Sequence, residues 1–372
     1  MDKNKISLTS VILIIILGFA VYSNSILGQF IWDDNYLVKD NVYIRNWSHI
    51  NKIFTRSTAA GAGGKESISY RPLQVFTFLI DHSLWGLDVK GYHLTNIILH
   101  ILVALSIFWL VNILYGDRLL CLLTSILFLV HPIHTEAIAY ISGRADPLGL
   151  LFMLLCFILY IKNYSLENTG LYILILLSYA LALLSRESSL ILPGLLLLYH
   201  YIFRKKIKVK GVLSIASISL IYIVLRLTVL SFKLPHLYAS TTILDRIPGL
   251  FVALADYTRL LFLPFNLHME YGNRLFHLAD PKAITGLLVF FLLLIYAFKR
   301  RHTDKLVSFS IFWFFVALLP SANLYPINAY MAEHWLYAPS IGFFLLLANG
   351  LSYMQRAKHL KIFALISTIR LL

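Results

Sequence analysis

The stretch NIILHILVALSIFWLVNIL, residues 96–114, decides what kind of molecule this chain is. It holds no Asp, Glu, Lys or Arg, and as a helix with its flanks it is long enough to cross about 30 Å of hydrocarbon. SVILIIILGFAVY (10–22) and AITGLLVFFLLLIYAF (283–298) read the same way. Over all 372 residues, 59% are hydrophobic and 13% charged, where a soluble domain carries roughly 25% charged. The expected fold is an all-α polytopic membrane protein. The first apolar run follows MDKNK as a signal peptide would, but it is long and has no A-x-A-like site after it. It therefore reads as a retained first helix.

The net charge of +14 does not indicate a nucleic-acid partner. Its basic residues sit in short loops between apolar runs: RKKIKVK (204–210), KRRHTDK (299–305) and MQRAKHLK (354–361). That is the positive-inside pattern, which orients a chain in a membrane. Cys121 and Cys156 both fall inside apolar runs and give neither a disulfide framework nor metal spacing.

With those loops and the N-terminus in the cytoplasm, spans are expected near 6–27, 91–114, 118–132, 147–162, 171–184, 189–203 and 211–230. Further spans follow near 283–298, 306–320, 335–353 and 361–372, about 11–12 in all. The segment from about 28 to 90 becomes a large first outer loop. Residues 71–87 and 249–265 read as interfacial or re-entrant; the second, if it crossed, would put one basic loop outside. No soluble domain is visible, so residues 1–372 read as one membrane-embedded domain. The last apolar run is short, as if truncated. No repeat of 20–50 residues appears, and AAGAGGKES (59–67) lacks phosphate-loop spacing.

This topology gathers the polar motifs on one face. Of the 18 acids, only Asp2, Asp117, Glu167 and Asp304 fall inside. The outer face receives FIWDD (30–34), SYRPL (69–73), HPIHTEA (131–137), SGRADP (142–147), LSRESS (184–189), NLHMEY (266–271) and NAYMAEHW (328–335). A pocket on that face is the simplest reading.

Each motif has a structural and a chemical reading. Asp33 and Asp34 are either a solvated helix end or a general base, whose pKa an apolar edge and a second carboxylate would raise. His131, His134 and Glu136 do not form the HExxH zinc pattern and read better as pocket-lining groups or a membrane-edge loop. Arg71, Arg144 and Arg186 are either ion-paired, with Asp146 and Glu187 close in sequence, or ligands for a lipid phosphate. Glu333 and His334 precede interfacial Trp335 and Tyr337. His93 and His100 fit polar contacts between helices. Asn46-Trp47-Ser48 matches a short glycosylation sequon.

In order, WDD, YRPL, GYHLTNIILH (91–100), HPIHTEAIAYISGRAD (131–146), LLSRESS (183–189), LPSANLYP (319–326) and AEHWLYAPSIGF (332–343) resemble one family. This is the membrane half of the transmembrane and tetratricopeptide-repeat-containing O-mannosyltransferases and their prokaryotic relatives. The resemblance implies a GT-C fold with the active site on the non-cytoplasmic face of a plasma membrane. It implies an inverting hexosyltransferase that moves a sugar, mannose in the named family, from a polyprenyl- or dolichyl-phosphate donor to a protein or glycan hydroxyl. It maps the essential first-loop aspartate to Asp33 or Asp34. The donor-phosphate and substrate contacts are then expected among Arg71, Arg144, Arg186, His131, His134, Glu136, Asp146, Glu187 and Glu333. No metal site is expected from spacing, although a divalent ion at Asp33/Asp34 is compatible with the residues. The chain differs from the animal members in lacking the repeats, in Arg186-Glu187 where Lys-Glu is usual, and in Glu333-His334 where Glu-Arg is usual. The rival reading is a lipid or solute transporter or flippase of an envelope glycan pathway; no matched inverted halves appear.

Overall fold

The computed structural model describes residues 8–63, 67–232, 241–272, 274–324, 326, 327 and 329–356, and among these every regular element is helical. The span expected at 361–372 lies outside the described residues. The chain opens with α1 (Leu8–Tyr22), and its first loop carries α2 (Ile50–Thr55) and α3 (Pro72–Trp85). The bundle continues through α4 (Val89–Tyr115), α5 (Arg118–Val130), the one-turn α6 (Thr135–Ala139) and α7 (Ala145–Lys162). After these come α8 (Thr169–Ser185), α9 (Leu192–Phe203), α10 (Val209–Leu227) and α11 (Ile243–Phe262). The last three are α12 (Pro281–Arg300), α13 (Lys305–Leu318) and α14 (Ser340–Arg356).

By length and composition five helices can cross a membrane, and a sixth if α5 and the Pro132–Ala139 segment form one bent span. Three of the remaining expected spans are the shorter apolar helices Thr169–Ser185, Glu187–Phe203 and Lys305–Ser321, and the one expected near 335–353 is α14. At 1.5 Å per residue these fall short of a full 30 Å crossing. Neither α3 nor α11 is apolar enough to qualify; α11 carries Asp245, Arg246, Asp256 and Arg259. The protein is a polytopic integral membrane protein.

Helix α4 runs through the main core, packed against α1, α5 and α7. Its buried polar groups are satisfied between helices: His100 meets the Tyr337 hydroxyl at 2.6 Å and the Leu129 carbonyl at 3.0 Å. The first loop has its own small core of Val38, Ile44, Ile53, Phe78, Leu79 and Tyr92, closed by Ile141. Two of the basic loops, 204–210 and 299–305, meet at one end of the bundle, where Arg204 contacts His302 and Lys208 lies over Tyr164. The other end carries the polar motifs.

Candidate active site

One short segment, Tyr140 to Asp146, receives contacts from four distant parts of the chain. Pro132 has no N–H and biases His131 to extended backbone (φ −71°, ψ 129°). Helix α5 therefore stops at Val130, and the chain bends by 54°. It folds back through α6 and a tight turn at Ile141–Arg144. Gly143 permits that turn, since a Cβ there would stand 2.7 Å from the Glu136 carbonyl oxygen and 2.9 Å from that of Ala137.

The two aspartates of FIWDD dock on this segment in opposite states. Asp34 is 0% exposed. Its Oδ1 accepts from the Ser142 N–H (2.8 Å) and hydroxyl (2.5 Å), and its Oδ2 accepts from the Ile31 N–H (3.1 Å). Burial pushes its carboxyl above the ordinary range, with the Ser142 and Ile31 hydrogen bonds opposing. Asp33 is only half-buried. Its N–H donates to the Tyr140 hydroxyl at 3.1 Å, and its Oδ1 accepts from the Tyr36 hydroxyl. Burial and the Asp33 contact raise the Tyr36 phenol, so it stays a donor at neutral pH. A single π-turn, Asn35–Lys39, follows directly, an irregularity common at functional sites.

The arginines separate as sharply. Arg144 is 0% exposed, and each of its three nitrogens has a partner. Nε donates to Asn96 Oδ1 (2.7 Å), Nη1 to Thr77 Oγ1 (3.3 Å) and Nη2 to the Tyr92 carbonyl (3.0 Å), while Nη2 also forms an ion pair with Asp81 Oδ2 at 2.5 Å. Its guanidinium also lies over the Phe78 ring, 4.6 Å from the centroid. The expectation that Arg144 faces a lipid phosphate is therefore corrected: it holds α3 and α4 to the start of α7. Arg186 Nε pairs with Asp146 Oδ1 at 3.0 Å, and Arg71 Nε pairs with Glu187 Oε2 at 3.0 Å. In both, the two terminal nitrogens make no hydrogen bond among the described residues. Glu187 is a clamp, since its other oxygen accepts the Tyr70 N–H at 3.1 Å. The Arg71 and Arg186 charges lie close enough to act on each other. Gly149 lets Arg186 pack closely against α7, since a Cβ there would stand 2.9 Å from Arg186 Cβ.

Arg186 and Asp146 line a cavity of about 30 Å³ with Ser188, Ser189, Ser321 and His334. Asp146 Oδ2 is buried there with no hydrogen-bond partner among the described residues. His334 is fixed by Glu136, which accepts its N–H (3.0 Å) and faces its Nδ1 (2.6 Å). Glu333 points the other way, accepting from the His268 N–H (2.6 Å) and the Tyr271 hydroxyl (2.7 Å). It thus ties NLHMEY to the same end, and burial raises its carboxyl.

Two expected contacts fall elsewhere. His134 is buried between the Phe128 carbonyl (2.7 Å) and the Ser340 hydroxyl (3.0 Å). His131 accepts the Ile133 N–H (3.2 Å) and meets the Leu261 carbonyl (3.2 Å). Both histidines join elements and do not line the cavity.

Among the described residues no group of three or more His, Cys, Asp or Glu is placed to hold a metal ion. Both oxygens of Asp34 already accept N–H or O–H bonds, which leaves one carboxylate at FIWDD. That donor set does not fit the several oxygen ligands a divalent ion takes from carboxylates and carbonyls. Tyr140, Ser142, Asp81 and Asn96 were not singled out from sequence; Tyr140 and Ser142 lie inside the HPIHTEAIAYISGRAD stretch.

No family model matches the chain. It is similar to a protein O-mannosyl-transferase of Caenorhabditis elegans, with 28% identity over 91% of this chain and 51% of that protein. Human protein O-mannosyl-transferase TMTC3 is 27% identical over 93% of this chain and 42% of its own length. Human TMTC2 is 32% identical over 53% of this chain and 24% of its own length. The chain thus spans about half the length, or less, of these curated relatives. Among solved structures, ArnT from Cupriavidus metallidurans bound to undecaprenyl phosphate matches with a TM-score of 0.57. The match covers 98% of this chain and 63% of that one at 11% identity. The fold is of the GT-C kind, and the resemblance read from the motifs agrees with these relatives.

Proposed function

We propose that this chain is a membrane glycosyltransferase that moves a hexose from a polyprenyl- or dolichyl-phosphate donor to a hydroxyl of a protein or glycan. The relatives' names make mannose the leading sugar. The charge-based topology supports a site on the non-cytoplasmic face. The observation that carries the donor class is the state of Arg71 and Arg186. Each spends Nε on a carboxylate and, among the described residues, keeps both terminal nitrogens free of hydrogen bonds, the fork that suits a phosphate.

Asp33 is the base. Its carboxylate is the accessible one of the pair and accepts from Tyr36, while Tyr140 holds its backbone N–H and Asp34 holds the turn in place. Asp33 takes the acceptor O–H proton as that oxygen attacks the anomeric carbon. The bond from this carbon to the phosphate oxygen breaks, and its electron pair leaves with the lipid phosphate. Arg71 and Arg186 stabilise the charge arriving there. Attack opposite the leaving group inverts the anomeric centre, through a transition state of oxocarbenium character.

The test is sugar transfer by the purified chain from polyprenyl-phosphate mannose and from other polyprenyl-phosphate sugars. Asp33→Asn is expected to lose about 10²- to 10⁴-fold in kcat with its melting temperature held. Full activity in Asp33→Asn, or movement of the intact donor across vesicles without transfer, sinks the reading.

A further inference from the structure

Trp32 stands at φ +47°, in the left-handed region, where a bulky side chain is a genuine outlier. The turn around it is locked from several sides. The Asp34 N–H donates to the Ile31 carbonyl (2.9 Å), the Ile31 N–H donates to Asp34 Oδ2 (3.1 Å), and the Trp32 carbonyl accepts from the Asn35 N–H (3.2 Å). The next residue, Asp33, is pinned to Tyr140. Yet the Trp32 side chain gains nothing from this constraint within the protein. The residue is 55% exposed. Its ring stacks on no other, and its indole N–H finds no acceptor, among the described residues.

Strain kept without an internal benefit marks a side chain placed for a ligand. A membrane anchor does not require it: an interfacial Trp needs only the right depth, and relaxed Leu27 and Ile31 next to it are already exposed. A sugar ring does require a fixed platform. Its C–H face is apolar and its rim is hydroxylated, which matches an indole that offers a flat face and one free N–H donor.

We propose that Trp32 is the platform for the donor's sugar ring, stacking on it and holding the anomeric carbon beside Asp33. This rests on the glycosyl-transfer reading above. The strained φ serves to aim the ring, because the turn that fixes Trp32 also fixes the base.

The test compares binding of undecaprenyl phosphate and undecaprenyl-phosphate mannose to the purified full chain in detergent, with kinetics alongside. Trp32→Ala and Trp32→Gly should each weaken the sugar-bearing lipid about five- to tenfold, raising KM more than they lower kcat. Both should bind the bare lipid phosphate as the wild type does, and Trp32→Phe should recover most of the loss. The Gly variant accepts a positive φ without strain, so equal losses in Ala and Gly assign the effect to the ring. Equal weakening of both lipids, or a loss seen only in bilayers, makes Trp32 an anchor and overturns the proposal. Unchanged binding of the sugar-bearing lipid also overturns it. A wild type that gains nothing from the sugar over the bare phosphate overturns instead the function on which the proposal depends.

Discussion

Two arginines, Arg144 and Arg186, lead opposite lives, although Arg144 stands only two residues before the Asp146 that pairs with Arg186. Arg144 pairs with Asp81 in a site sealed from solvent, with a partner at each of its three nitrogens. Arg186 pairs with Asp146 at a cavity, 12% exposed; among the described residues its terminal nitrogens make no hydrogen bond and Asp146 Oδ2 has no partner. The same residue pair, Arg with Asp, is a structural rivet in one place and a loaded binding group in the other. Neighbouring contacts make the difference, since a buried guanidinium engaged at all three nitrogens offers a ligand no open fork.

The contrast predicts a split between stability and activity. Arg144→Ala strands the Asp81 carboxylate, and breaking a buried pair costs about 3–5 kcal/mol. The expected outcome is a sharp drop in melting temperature in detergent; an unchanged melt would erase the distinction. Arg186→Gln should cost about 10²-fold in sugar transfer, with a smaller stability change than Arg144→Ala. Arg186→Lys should recover only part of that loss, because an ammonium restores the charge but not the fork or the Nε pair with Asp146. Transfer assays and melts on the same preparations check both.

The smallest effect concerns Asp34. Its carboxyl is raised in the folded protein, so the folded state holds that proton more tightly than the unfolded one. The stability it contributes is fully present below the ordinary carboxylate value and is lost as pH rises through the raised one. Asp34→Asn should therefore be more harmful to the melting temperature at pH 4 than at pH 7. A penalty that grows with pH contradicts the direction of the shift.

The membrane fold was legible in the apolar runs, and the shared face of the polar motifs in the basic loops, because both follow from local composition. Asp33, Arg71, Arg186, Asp146, Glu187, Glu136 and Glu333 all sit at the motif-bearing end. The division between Asp33 and Asp34 was not legible. It is made by Ser142, 108 residues downstream, and partners that distant leave no periodicity in the sequence. Arg144 misled for the same reason: Asp81 sits in a stretch that shows only an apolar helix. His131 and His134 looked like ligands because their spacing is visible, whereas the carbonyls that occupy them are not.

The joining of distant residues at Tyr140–Asp146 also sets when the site comes into being. Asp34 reaches Ser142 across 108 positions, and Glu136 reaches His334 across 198. Contacts of such separation form late, after the helices that carry them are in place. During synthesis, a chain not yet extended past residue 334 holds Asp33 on its turn but has no partner for Glu136. The emerging polypeptide thus assembles its membrane scaffold first and completes its chemistry last.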